Sequence, residues 1–210
     1  MNNKTITTLF LDIGGVLLTN GWGRQSRDRA VAQFNLDAEE MNERHHLTFD
    51  TYEEGKLTLH EYLDRVVFYE PRRFSKEDFV NFMYGESTAL PGTIEFFKAL
   101  KKRYQLRVIA VSNEGRELND YRIKEFKLHE LFDAFISSCF VHLRKPDKDI
   151  FQMASDISQT APIHSLYIDD RSMFVEVAKT LGMHGLHYKG LEEAKLTLKG
   201  WGFDVDQPAG

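Results

Sequence analysis

The chain has 210 residues, 42% of them hydrophobic and 28% charged, an ordinary globular balance that excludes collagen-like, low-complexity and wholly disordered classes. Its 27 Lys and Arg against 32 Asp and Glu leave a net charge of -5. Phosphate-backbone binding calls for the opposite surplus, so nucleic acid is not an expected partner.

The length suits one domain, or one domain carrying a smaller inserted one. Cys139 is the single cysteine, which rules out an intramolecular disulfide and a cysteine-based zinc site; within Phe135-Ile136-Ser137-Ser138-Cys139-Phe140 it reads as a buried small hydrophobe. Residues 1–11 lack the long apolar stretch of a signal peptide, and no segment approaches the length of a membrane span. A cytoplasmic protein without membrane association is therefore expected.

In chain order, residues 7–11 are a continuous apolar run too short for a helix, the pattern of a strand buried on both faces. Residues 20–88 contain no convincing strand. Leu57, Leu59, Tyr62, Leu63, Val66 and Val67 recur near helical spacing, as do Phe79, Phe82 and Met83, so this interval reads as inserted helices. Arg24, Arg27 and Arg29 in it read as a solvated helix face, as do Lys101, Lys102 and Arg103 further on. Pro91-Gly92 marks the return to the sheet. Strands at 106–111, 134–138, 166–168 and, more weakly, 183–188 then alternate with helices at 93–103, 117–132 with a break, 148–158, 172–181 and 191–199; the tail from 204 to 210 is expected to be loosely ordered. This alternation predicts an α/β fold, a doubly wound parallel sheet formed by 1–19 and 89–210, with a small all-helical domain inserted at 20–88.

Ligands of open parallel sheets bind beyond the carboxyl ends of the strands. There the sequence places Asp12, Ser112-Asn113, Arg144-Lys145-Pro146 and Asp169-Asp170. Clustered carboxylates favour a hard cation such as Mg²⁺, cation and lysine together suit a phosphate, and Asp12 is placed to attack it. Each residue also has a plainer reading. Asp12 before Ile13-Gly14-Gly15 fits a turn, Ser112 or Asn113 a helix N-cap, Lys145 a solvated loop, and Asp169-Asp170 the cap of the next helix. His45, His46 and His142 are candidate proton donors with equally ordinary surface alternatives. No His-Glu-x-x-His, Walker, GxGxxG or GxSxG pattern is present.

Four segments resemble, in order and spacing, the motifs of the haloacid dehalogenase-like hydrolase superfamily: Leu9-Phe10-Leu11-Asp12-Ile13-Gly14-Gly15-Val16-Leu17, Val108-Ile109-Ala110-Val111-Ser112-Asn113, Arg144-Lys145-Pro146 with Ile150-Phe151, and Leu166-Tyr167-Ile168-Asp169-Asp170. The resemblance implies a Rossmann-like core with a helical cap. Tyr52-Glu53-Glu54-Gly55-Lys56-Leu57-Thr58 further resembles a cap segment of the sugar-phosphate phosphatase branch. It implies a phosphatase of a small phosphorylated metabolite, with Asp12 as nucleophile and Ser112, Asn113 and Lys145 binding the phosphoryl group. It also implies a Mg²⁺ site formed by Asp12, the Gly14 main-chain carbonyl, Asp170 and, directly or through a neighbouring ligand, Asp169.

One position departs from the pattern. Phosphatases of the superfamily carry a second aspartate, the acid and base of the reaction, where this chain has Gly14. Alternatives are therefore a phosphate-binding or regulatory protein with weak turnover, or a haloacid dehalogenase, which works without that aspartate and without metal. Gly21-Trp22-Gly23 reads as the hinge into the cap, with Trp22 lining the cleft. Substrate and oligomeric state are not specified by the sequence.

Overall fold

The computed structural model describes residues 6–204. Five parallel strands lie in the order β3-β2-β1-β4-β5: β1 (Thr8–Leu11), β2 (Arg107–Ser112), β3 (Ala134–Ser137), β4 (Ser165–Asp169) and β5 (His184–His187). The chain winds outward from β1 through β2 to β3, then returns to place β4 on the other side of β1, which makes the edge above β1 the switch point of the sheet.

Alternation along the strands serves both faces. Leu9, Leu11, Val108 and Ala110 pack with Ile94, Phe97, Leu100, Ala194 and Leu198, while Phe10, Ile109, Val111 and Tyr167 pack with Ile150, Phe151, Val175 and Ala178. The apolar character of these runs follows from that two-sided burial. The predicted helix over 117–132 is interrupted as expected, α6 (Arg116–Glu125) giving way at Lys127, which adopts a left-handed conformation, to a short 3-10 turn. Ser112 and Asp169, expected just past their strands, are the last residues within them. Of the predicted loose tail, Asp204 is held by the Tyr104 hydroxyl, which its N–H reaches at 2.7 Å; residues 205–210 lie outside those described.

Between β1 and α5 (Thr93–Tyr104) come four helices, α1 (Arg24–Phe34), α2 (Ala38–Glu53), α3 (Leu59–Val66) and α4 (Lys76–Gly85). Capping boxes of Thr58 with Glu61 and Ser75 with Asp78 start α3 and α4, each satisfying donors the first turn leaves unpaired. These helices share an apolar core of their own, built on Tyr52, Tyr62, Leu63, Phe79 and Met83, which Leu118 of α6 joins. Tyr84 stacks on Tyr121 at 4.3 Å, so the insert rests on α6. Its two connections run side by side, Leu18 bridging Ala89. Buried Arg122 of α6 grips both, donating to the Thr19 carbonyl and the Ser87 hydroxyl, and is itself paired with buried Glu114.

Candidate active site

The ends of β1, β2 and β4 bring the predicted residues together. Asp12 continues β1 by donating its N–H to the Ile168 carbonyl at 3.0 Å. Its Oδ1 accepts the Ser112 hydroxyl at 2.7 Å and lies 3.1 Å from the Lys145 ammonium. Lys145 is 1% exposed and reaches Asp169 at 2.7 Å, so it is no solvated loop lysine. Nor does Asn113 cap a helix. Its amide clamps the main chain of Lys145 from both sides, Nδ2 donating to the carbonyl at 2.9 Å and Oδ1 accepting the N–H at 2.8 Å. The residue that binds the lysine backbone thereby fixes the path of the ammonium, an ordering that costs nothing further when a ligand arrives.

Carboxylate oxygens of Asp12, Asp169 and Asp170 lie within 4.8 Å of one another. They are not equivalent. Asp169 is fully committed, one oxygen accepting from Lys145 and the Tyr167 hydroxyl and the other from the Arg171 N–H at 2.8 Å. Asp170 has only a long contact from Asn20, 3.4 Å, on Oδ2, and its Oδ1 is buried without a partner. Burial lifts the Asp12 carboxyl to about 7, against the pull of Lys145 and with help from Asp169; burial and then Asp169 likewise raise Asp170. A buried carboxylate oxygen without a donor, beside others whose charge is disfavoured, fits a divalent cation bound through oxygen. Asp12 and Asp170 offer the open lone pairs, and Asp169 supports them through Lys145.

The two glycines after Asp12 differ. Gly15 has φ +73°, and a Cβ there would collide with the Asp170 carboxylate, so only glycine serves. Gly14 lies outside the left-handed region, and a Cβ on it would meet nothing closer than the Asn20 Oδ1 at 3.0 Å. Backbone conformation does not demand its missing side chain.

Above this floor is a cleft of about 380 Å³ whose walls include Trp22, Arg27, His45 and Glu53 of the insert, within the size range of small-molecule sites. Trp22 lines it as expected, its indole donating to Tyr62 at 2.8 Å. Of the three histidines, only His45 reaches the cleft. His46 lines a neighbouring hollow, and the His142 ring is bonded to the Glu54 carbonyl. Arg144 joins insert to core by pairing with Glu53 and, at 3.0 Å, with Asp50. Burial lifts Glu53 to about 7 against that guanidinium. Cys139 is buried, and burial pushes its thiol up to about 12.

Sequence reasoning missed Arg24, Arg27, Glu53 and the Glu114–Arg122 pair as cleft residues. Arg24 and Arg27 read as a solvated helix face; Arg24 is exposed as that reading expects, whereas Arg27 is half-buried, and the wall both line belongs to a part of the fold whose docking no local pattern reveals. The spacing of Arg24 and Arg27, one helical turn apart, was the available signal.

Residues 6–182 match the family model of haloacid dehalogenase-like hydrolases. The chain belongs to this hydrolase family. Among relatives of this haloacid dehalogenase-like chain, D-ribitol-5-phosphate phosphatase of Bacteroides thetaiotaomicron is 25% identical over 198 residues, 84% of this chain and 89% of that protein. Among the solved structures that share the fold, two are informative. A family enzyme from Bacteroides thetaiotaomicron, crystallised with magnesium and inorganic phosphate, has a TM-score of 0.75 at 21% identity, over 88% of this chain and 94% of that one. The L-2-haloacid dehalogenase of Xanthobacter autotrophicus, with chloropropionic acid covalently bound, has a TM-score of 0.63 at 15% identity, over 96% and 85%. The described residues contain no helix long and apolar enough to cross a membrane.

Proposed function

We propose that this haloacid dehalogenase-like hydrolase is a magnesium-dependent phosphatase of a small phosphorylated metabolite in the cytoplasm, with 1–19 and 89–210 as catalytic core and 20–88 as a cap that selects the substrate. The observation that carries this reading is the cluster of Asp12, Asp169 and Asp170, with the Asp170 Oδ1 unpartnered and Lys145 between Asp12 and Asp169. A dehalogenase has no use for a third carboxylate of this kind. The relative that acts on D-ribitol 5-phosphate supports the same class.

In this reading Asp12, Asp170 and the Gly14 carbonyl, with Asp169 behind them, would hold Mg²⁺, whose positive charge would favour the ionised form of Asp12 and polarise the phosphoryl oxygens. Ser112, the Asn113 main chain and Lys145 bind those oxygens, where the gain is chiefly electrostatic. An Asp12 carboxylate oxygen forms the bond to phosphorus as the ester P–O bond breaks, and the departing alkoxide takes its proton from water because position 14 has no side chain to give one. A second water then attacks phosphorus, releasing inorganic phosphate and restoring Asp12.

Gly14 favours a second reading, a phosphate binder with weak turnover. Phosphate release from sugar phosphates, acyl phosphates and an activated aryl phosphate separates the two. A phosphatase turns over one class with Mg²⁺ and not with EDTA, and Asp12→Asn lowers the rate by at least about 10³-fold. A binder stays inert until Gly14→Asp, which the backbone accepts with a small shift of Asn20, restores the acid and base, a gain of about 10²- to 10⁴-fold.

A further inference from the structure

The cap side of the cleft carries a surplus of positive charge in an acidic protein. Arg24, Arg27, Arg122, Arg144, Lys145 and Arg171 line the cleft with three carboxylates, Asp12, Glu53 and Glu114, and Asp169 and Asp170 lie beside Asp12 at the floor. Each of those three is already taken, by Lys145, Arg144 and Arg122 respectively. Among the described residues Arg24, Arg27 and Arg171 form no ion pair with any carboxylate.

Arg27 is the informative one, because it is half-buried rather than solvated. Its guanidinium is oriented by two neutral acceptors, the Asn42 side chain at 3.3 Å and the Trp22 carbonyl at 3.1 Å, which leaves Nη2 without an acceptor. Asp28, the adjacent acid, is exposed and makes no ion pair with it. Burial acts against its charge and outweighs the support of Tyr62 and Asp28, with Arg24 adding to the opposition. A partly desolvated cation fixed in place without a counter-ion is costly unless something else supplies the anion.

His45 beside it offers a donor as well. The Tyr62 oxygen accepts the Trp22 indole N–H and lies 2.8 Å from His45 Nδ1, and with the hydroxyl hydrogen directed at that nitrogen the ring presents an Nε2–H donor. Burial and Arg27 hold this ring neutral, down at about 3. The cap wall around α1 thus presents guanidinium and ring N–H donors, and the carboxylates nearest them, Asp50 and Glu53, are paired with Arg144 instead. Such a wall discriminates against a hydroxyl-terminated chain, which forms weaker bonds with a guanidinium and leaves its charge uncompensated.

Resting on the phosphatase reading, we propose that the substrate is a phosphate monoester carrying a second anionic group, a carboxylate or a second phosphate, which Arg27 and Arg24 bind while the first phosphate lies on Asp12. Phosphate esters of neutral polyols, D-ribitol 5-phosphate among them, are then poor substrates of this chain.

The test uses matched esters with Mg²⁺: sorbitol 6-phosphate against 6-phosphogluconate for the carboxylate, fructose 6-phosphate against fructose 1,6-bisphosphate for the second phosphate, with D-ribitol 5-phosphate and p-nitrophenyl phosphate as references. The proposal expects kcat/KM to favour one anionic member by roughly tenfold or more. Arg27→Gln and Arg24→Gln should bring that ratio towards one, mainly through KM, and Arg27→Lys should keep part of it. Equal or better use of the neutral members overturns the proposal, as does an Arg27→Gln variant that scales every substrate by the same factor. If nothing is hydrolysed, p-nitrophenyl phosphate included, the phosphatase reading fails by itself. Calorimetry of the same pairs on the Mg²⁺-supplemented Asp12→Asn variant then decides: tighter binding of the anionic member supports the proposal, and equal or absent binding overturns it.

Discussion

At the floor of the cleft, Lys145 is buried between Asp12 and Asp169, and both oxygens of Asp169 accept from neighbouring donors. On the wall contributed by α1, Arg24 and Arg27 carry the same kind of charge with no carboxylate against them. In the first arrangement the ammonium is paired without a ligand, so its geometry is set by folding, while Asp12 and Asp170 keep open oxygens. The second is incomplete, so its energy is released only by the molecule that completes it. In the proposed function, chemistry and selection fall to different parts of the chain, core and insert respectively.

If the floor is held by internal pairing, breaking one partner must be expensive. Lys145→Met leaves two buried carboxylates without their cation, and stability should fall by about 3–5 kcal/mol in urea unfolding at neutral pH; a loss near zero would mean that the pairing is not what organises the site. The junction between floor and wall is tested through Glu53, whose carboxyl burial lifts from 4.5 to about 7. The folded state then holds a proton that the unfolded state releases, so stability contributed by this group is full below 4.5 and declines as pH rises towards 7. Glu53's share should reach about 1.4 kcal/mol per pH unit at its steepest and be lost in Glu53→Gln, leaving the parallel decline that buried Asp12 contributes. The wall itself should be nearly silent in stability. Arg24→Gln, at an exposed position without an ion pair, should shift unfolding by no more than about 0.5 kcal/mol while altering substrate preference, the reverse of the Lys145 result.

Much of the floor was legible in the sequence because a parallel sheet turns order along the chain into position in space: each apolar run ends at the same edge, so Asp12, Ser112, Lys145 and Asp169 had to meet there. What Asn113 does was not legible, since clamping the Lys145 main chain depends on how two loops approach, and the same residue type at a strand end fits a helix cap equally well. The insert was visible as helical from the spacing around Tyr62 and Phe79. Which of its polar residues face the core was not. In α1 the segment Arg24-Gln25-Ser26-Arg27-Asp28-Arg29 is polar on nearly every side, so periodicity cannot pick the face that docks, and Arg27 resembles its solvated neighbour Arg29 until the fold is known.

The paired connections gripped by Arg122 also bear on how such a chain can change. Because residue 18 bridges residue 89, the insert leaves and re-enters the sheet at one point, and lengthening, shortening or exchanging what lies between alters no strand register and moves neither Asp12 nor Lys145 along the chain's path. The fold is in this respect a socket with a plug. Arg122 and Glu114, which belong to the socket, fix where any plug must begin and end.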